Sequence, residues 1–201
     1  MRLKISLKPP VFIGSIATVI FSVIIIFLPN FNRPVQGSDM KLPALLSTIP
    51  VKPVIGLPVR LQIPKLKVNA SVENVGLTKD KSMGAPKIPS DVAWFNLGVR
   101  PGEIGSAVMA GHVNWYSGAT AVFANLNKLK PGDKIFVKDN NGVTISFVVR
   151  KVRVYSIKDD TSEVFSADDD LAHLNLITCV GVWNKRSKQY SQRLVVFTDR
   201  E

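Results

Sequence analysis

One cysteine, Cys179, stands at the end of the short apolar run Leu174-Asn175-Leu176-Ile177-Thr178. The length of the run and its β-branched residues favour a strand, with turn-forming Asp168-Asp169-Asp170 ahead of it. After Cys179 the pattern breaks into a polar, basic stretch over residues 180–191, then resumes as Gln192-Arg193-Leu194-Val195-Val196-Phe197-Thr198. Two strands joined by a long loop are therefore expected, with a thiol at one base of the loop and an arginine at the other.

A lone cysteine is often no more than a small buried hydrophobe. Nucleophilic chemistry asks for a thiolate, a proton-transfer partner and a donor for the developing oxyanion. The chain offers two histidines for the second role. His112 follows Gly111 at the end of the short apolar strand Ser106-Ala107-Val108-Met109-Ala110, where an imidazole can project into a cleft. His173 lies six positions before Cys179 and reads as a structural or surface residue. Arg193 supplies a fixed cation with several donors, suited to an oxyanion or a peptide carbonyl. An unperturbed thiol and imidazole, at about 8.5 and about 6.5, would hold only about 1 % of such a pair as thiolate and imidazolium at neutral pH if they titrated independently. A neighbouring guanidinium enriches that form by favouring the thiolate. No aspartate or asparagine stands out in the sequence as a group to orient the imidazole.

Ala110-Gly111-His112, Leu176-Ile177-Thr178-Cys179 and Arg193 resemble, in that order, the Gly-His, Leu-x-Thr-Cys and Arg signatures of the sortases, the cysteine transpeptidases of Gram-positive cell surfaces. The resemblance extends over residues 60–198, through Ile63-Pro64, Pro101-Gly102, Gly105-Ser106, Val122-Phe123-Ala124-Asn125-Leu126 and Lys130-Pro131-Gly132-Asp133, and its details are most similar to the class E and class F branches. It implies a closed eight-stranded β-barrel. It also implies that Cys179 forms a thioester with the threonine carbonyl of an LPxTG-like sorting signal, that His112 is acid and then base, and that Arg193 steadies the oxyanion or aligns the peptide. Thr178, Val164 and Phe165 are its candidate substrate contacts. The implied partners are proteins bearing sorting signals and an amine acceptor on a peptidoglycan precursor or a pilin, and no cofactor or metal is implied. Two other readings use the same residues: a cysteine hydrolase, and a membrane-tethered β-barrel binding module whose cysteine is buried.

The elements that must position these residues are mostly strands. Val59-Arg60-Leu61-Gln62-Ile63 alternates, residues 70–77 continue the pattern, and Lys134-Ile135-Phe136-Val137-Lys138, the turn Asn140-Asn141-Gly142 and residues 143–155 read as a hairpin. Helical spacing is confined to residues 121–129, where Val122, Leu126 and Leu129 repeat. Short strands with turn signals and almost no helix argue for a mainly β, closed antiparallel-rich barrel. Between residues 156 and 172 the acidic stretch Asp159-Asp160, Glu163 and Asp168-Asp169-Asp170 lacks the spacing of a calcium-binding loop, and a solvated loop with a short helix is expected.

Ahead of the barrel, residues 1–10 form a basic tail and residues 11–28 an uncharged apolar run. As a helix this run spans roughly 27 Å, close to the hydrocarbon thickness of a bilayer. One N-terminal transmembrane helix is expected, with its positive flank in the cytoplasm and the catalytic domain, residues 59–201, outside the cell. Prolines at 29, 34, 43, 50, 53 and 58 make residues 29–58 an extended linker. A net charge of +11 raises the question of nucleic acid, but no zinc spacing, RNA-binding motif or continuous basic helix supports that class. One cysteine excludes an internal disulfide, and with two distant histidines it cannot complete a structural zinc site.

Overall fold

The computed structural model describes residues 54–115 and 118–201; the expected tail, transmembrane segment and most of the linker lie outside the described residues. Eight strands make up the domain: β1 (Pro58–Ile63), β2 (Val68–Val75), β3 (Val92–Phe95), β4 (Gly105–Gly111), β5 (Lys134–Asp139), β6 (Thr144–Ser156), β7 (Ala172–Asn184) and β8 (Gln189–Arg200). They close in the order β1-β2-β3-β4-β7-β8-β6-β5, with β5 returning to β1. Closure leaves no unpaired sheet edge to be covered. The β2/β3 and β4/β7 pairs are parallel and the other pairings antiparallel. Among the described residues no helix is long and apolar enough to cross a membrane.

Alternation along the strands sorts side chains into two packed groups. Leu61, Met109, Ile135, Val137, Phe147, Leu174, Leu176, Leu194 and Val196 fill the barrel interior. Met83, Phe95, Val108, Ala110, Tyr155, Val164, Ile177, Val195 and Phe197 form a second cluster on the outer face of β4, β7 and β8. Both faces of β7 are therefore covered over its first half, and His173 through Thr178 are all buried. On β6, Ile145, Phe147 and Val149 point inward. A register shift between Val149 and Lys151 then changes the parity, so Val152 packs on the interior while Tyr155 joins the outer cluster.

Three features differ from the sequence reading. The segment expected to be helical is a series of turns around a 3-10 helix, Leu126–Lys128, with Phe123, Leu126 and Leu129 buried. Its apolar residues recur every third position, which fits three residues per turn better than 3.6. The long loop after Cys179 is instead the far half of a continuous β7–β8 ribbon, so Cys179 lies within a strand and not at its end. Gly181, at φ 85°, permits the bulge that lets the ladder resume at Trp183 opposite Tyr190. The last residues of the expected linker already belong to the domain. Gly56 N–H donates to Asp139 Oδ2 at 2.8 Å, Leu57 N–H to Asn140 Oδ1 at 2.8 Å, and Pro58 begins β1.

Candidate active site

The register of three adjacent strands aligns the three residues singled out in the sequence. In the parallel β4/β7 pair Ala110 stands opposite Ile177, and the Thr178 hydroxyl donates to the Gly111 carbonyl at 2.9 Å. His112 directly follows the end of β4, as Cys179 directly follows Thr178 on β7. Across the antiparallel β7/β8 pair Cys179 faces Arg193 directly. Cross-strand neighbours of this kind hold their Cβ atoms about 4.5–5.5 Å apart. Parity supplies the other half of the geometry. Ala110, Ile177 and Val195 belong to the outer cluster, and each lies two residues from His112, Cys179 or Arg193 on its own strand. Cys179 and Arg193 therefore stand on the outer face, at the end of the cluster where its apolar cover stops, and His112 follows the end of β4 two residues after Ala110. Cys179 is partly exposed, not sealed in the core.

His112 is fixed from several sides. Its carbonyl accepts from Phe123 N–H at 3.0 Å, its ring packs edge-on against Trp115 with centroids 5.1 Å apart, and its Nε2 lies 2.9 Å from the carbonyl oxygen of Pro86. A carbonyl can only accept, so Nε2 carries the hydrogen and Nδ1 is the nitrogen able to exchange a proton. The orienting group that sequence inspection could not find is thus a main-chain oxygen of the β2–β3 loop. The glycine before the histidine has a steric cause. A Cβ at Gly111 would lie 2.7 Å from Val122 Cγ1 and 2.8 Å from Phe123 Cγ, so only glycine lets residues 122–123 close over the strand end.

Arg193 is 2 % exposed, and its Nη1 donates to the carbonyls of Tyr190 at 3.0 Å and Gln192 at 2.9 Å. Its Nε is buried without an acceptor. A buried donor left unpaired is costly. Beside Cys179, it is the kind of group that a bound acceptor would satisfy.

The three candidate substrate contacts fall in different places. Val164 and Phe165 lie on the short helix α1 (Ser162–Phe165) between β6 and β7, beside the outer face. Val164 is wholly buried in the cluster, whereas Phe165 is partly exposed and meets Phe95 edge-on at 5.7 Å. Thr178 has the opposite parity from Cys179, is 1 % exposed, and spends its hydroxyl on Gly111. It ties β7 to the end of β4.

Several polar groups that sequence reading did not single out hold α1 in place. Asn175 Nδ2 donates to the Val164 carbonyl at 2.7 Å. The Tyr155 hydroxyl donates to Glu163, which also receives Arg153 Nη1 at 2.6 Å and Lys151 Nζ at 3.1 Å. The bond from Tyr155, with the two cations, holds the Glu163 carboxyl below its ordinary range against the opposing effect of burial. Burial, then Glu163, pushes the Tyr155 phenol up. Of the acidic stretch, Asp159, Asp160 and Asp169 are engaged with nearby chain groups, and among the described residues no group of acids, histidine and cysteine is arranged to hold a metal ion. A concavity of about 550 Å³ lined by Asn74, Trp94, Asn96, Arg100 and Glu103 lies at the opposite rim, beyond the start of β4. It is remote from Cys179 and takes no part in the site.

Comparison with known proteins bears on the fold and the family. The Sortase domain family model matches residues 61–201. Sortase C-1 from Actinomyces oris is 23 % identical with a TM-score of 0.57, over 71 % of this chain and 72 % of that one. A lid mutant of sortase A from Corynebacterium diphtheriae is 19 % identical with a TM-score of 0.56, over 76 % and 74 %. Sortase C1 from Streptococcus agalactiae, in complex with MTSET, is 20 % identical with a TM-score of 0.56, over 73 % and 69 %. At these identities the solved structures speak for the fold. No curated protein matches the chain. With the family model covering the barrel from within β1 to the end of β8, the chain belongs to the sortases, a family of cysteine transpeptidases.

Proposed function

We propose that this sortase cleaves an LPxTG-like sorting signal between threonine and glycine and transfers the acyl group to an amine of a peptidoglycan precursor or a pilin. The Cys179 thiolate attacks the threonine carbonyl carbon, forming the C–S bond while negative charge gathers on oxygen. Arg193 faces that charge, and losing a donor of this type typically costs about 10²–10³ in rate. The intermediate collapses to a thioester as the glycine nitrogen takes a proton from the His112 imidazolium. The acceptor amine then attacks the thioester, passes a proton to His112, and releases the thiolate. The observation that carries this reading is Cys179 facing Arg193 across β7 and β8, with His112 at the residue after β4, the strand that pairs with β7. Partial exposure of Cys179 speaks against a binding module with a packed thiol.

The helix α1, with Phe165 at its exposed side, forms one wall for the peptide, and the β2–β3 loop that carries Pro86 forms the other. The cellular part of the proposal rests on sequence. Residues 11–28 anchor the chain in the cell membrane with a cytoplasmic N-terminus, and the signatures favour a class E or class F enzyme. The test is incubation of the purified protein with a labelled LPxTG-like peptide. A hydroxylamine-sensitive acyl-enzyme and amine-dependent product are expected, both absent in Cys179→Ala. No acyl-enzyme on the native protein, or unchanged turnover in the variant, would refute the proposal.

A further inference from the structure

The β7–β8 ribbon outruns the barrel. The last β4 partner of β7 is opposite Ile177, and the last β6 partner of β8 is opposite Gln192, so beyond Val180 the two strands pair with each other, with a bond from Ile157 N–H to the Ser191 carbonyl at 3.3 Å at their base. A two-stranded ribbon without a core behind it gains little from apolar side chains, yet this one carries several. Val182 is 75 % exposed and Trp183 48 % exposed, and Trp183 stacks edge-on against Tyr190 with centroids 5.1 Å apart. The turn above them holds Lys185, Arg186 and Lys188, and is shaped by Asn184 Oδ1, which accepts from Arg186 N–H at 2.9 Å and Ser187 N–H at 3.1 Å.

Among the described residues, Lys65, Lys134, Arg150, Lys151 and Arg153 on the barrel each pair with a carboxylate, while Lys67, Lys128 and Lys138 do not. The three cations at the tip make no ion pair among the described residues and are crowded into four consecutive positions. The sequence contains no acid between Asp170 and Asp199. The geometry points to the ribbon tip as a docking surface for a bilayer of anionic lipid. An anionic polymer in solution would account for the three cations but leave Val182 and the Trp183–Tyr190 pair in water. An anionic membrane accounts for both, because indole and phenol rings settle at the headgroup level and each basic residue adds attraction to acidic lipid. Cys179 precedes Trp183 by four residues, about 13 Å along an extended strand, so docking brings the catalytic mouth to the membrane surface. The tip lies at the end of the barrel away from Pro58.

The test uses the full chain reconstituted in vesicles of acyl-chain-brominated phosphatidylcholine alone or mixed with acyl-chain-brominated phosphatidylglycerol, at equal bromine content. The Trp183 signal is the emission lost in Trp183→Phe, which separates it from Trp94 and Trp115. Quenching of Trp183 in the anionic vesicles is expected, with little in phosphatidylcholine, and with loss in the triple variant Lys185→Glu, Arg186→Glu, Lys188→Glu and at high salt. Unquenched Trp183 in anionic vesicles overturns the inference. So does shielding of Trp183 from aqueous iodide by soluble polyphosphate without quenching by lipid, which would assign the tip to a soluble anionic polymer. None of these readings needs turnover, so they stand apart from the sorting-signal chemistry.

Discussion

The two histidines occupy opposite ends of the same outer face and are treated in opposite ways. His112 gives one nitrogen to a neutral acceptor, the Pro86 carbonyl, at 2.9 Å, and its ring is only half-buried against Trp115. His173 is 4 % exposed and gives both nitrogens to carboxylates, Nδ1 to Asp199 at 2.8 Å and Nε2 to Asp169 at 2.7 Å. An imidazole that donates from both nitrogens is an imidazolium. Burial works against that charge at His173, but the bonds to Asp169 and Asp199 outweigh it and raise its pKa above the ordinary value. A histidine between two carboxylates is a structural cation clamping the chain before β7 to β8. A histidine oriented by one carbonyl keeps a nitrogen for proton exchange. Partners, and not residue type, divide the two roles.

The sharpest way to break this contrast is to make the same substitution at both places. His112→Gln keeps a donor for Pro86 but has no exchangeable proton, and a peptide-cleavage assay is expected to show a loss of about 10²–10⁴ in rate with little change in unfolding midpoint. His173→Gln should do the reverse. Equal rate losses in the two variants would erase the division. Arg193→Lys comes next, at about 10²–10³ in acylation rate. It retains charge but loses the planar guanidinium whose Nη1 donates to both the Tyr190 and Gln192 carbonyls. Gly111→Ala tests the packing behind His112. Residues 122–123 must shift to admit the methyl group, and a displacement near 1 Å at the imidazole costs about 10² in rate. Thiol labelling of Cys179 should persist in that variant, since its strand is untouched.

Much of this arrangement could be read from the chain, and the parts that could not have physical reasons. Alternation exposed β5 and β6 because one face of each is buried and the other solvated. It concealed β3, which has four residues, all buried, set between Pro89 and Pro101. The distal half of β7 looked like a loop because both faces of a lone ribbon meet water and Gly181 breaks the period. The order Gly-His, Leu-x-Thr-Cys and Arg pointed through a family resemblance to the family that the chain belongs to, and Cys179 does face Arg193 across β7 and β8. Parity alone separates Thr178 from Cys179, since neighbours in a strand face opposite ways. The Pro86 carbonyl had no signature at all, for any residue type brings the same oxygen. Asn175 and the Tyr155–Glu163 pair were hidden for a related reason: their partners lie 11 and 8 residues away, across a loop whose path the sequence leaves open.

The smallest effect concerns His173 and is read in stability against pH. Because its folded pKa is raised, the clamp contributes fully below the unfolded imidazole value of about 6.5 and is lost as pH rises through the folded one. Asp169 limits the other side. The bond from His173 holds its carboxyl below the ordinary value, so its part of the clamp is present above about 3.9 and disappears as pH falls through the lowered value. The wild-type protein should therefore exceed His173→Gln in unfolding free energy most strongly near pH 5–6, by roughly 1.5–3 kcal/mol for charged hydrogen bonds. The gap should narrow as the solution is made alkaline. Denaturant melts of the two proteins across that range measure it directly. A gap that widens with rising pH would mean that His173 folds as the neutral ring, and the contrast with His112 would then be one of burial alone.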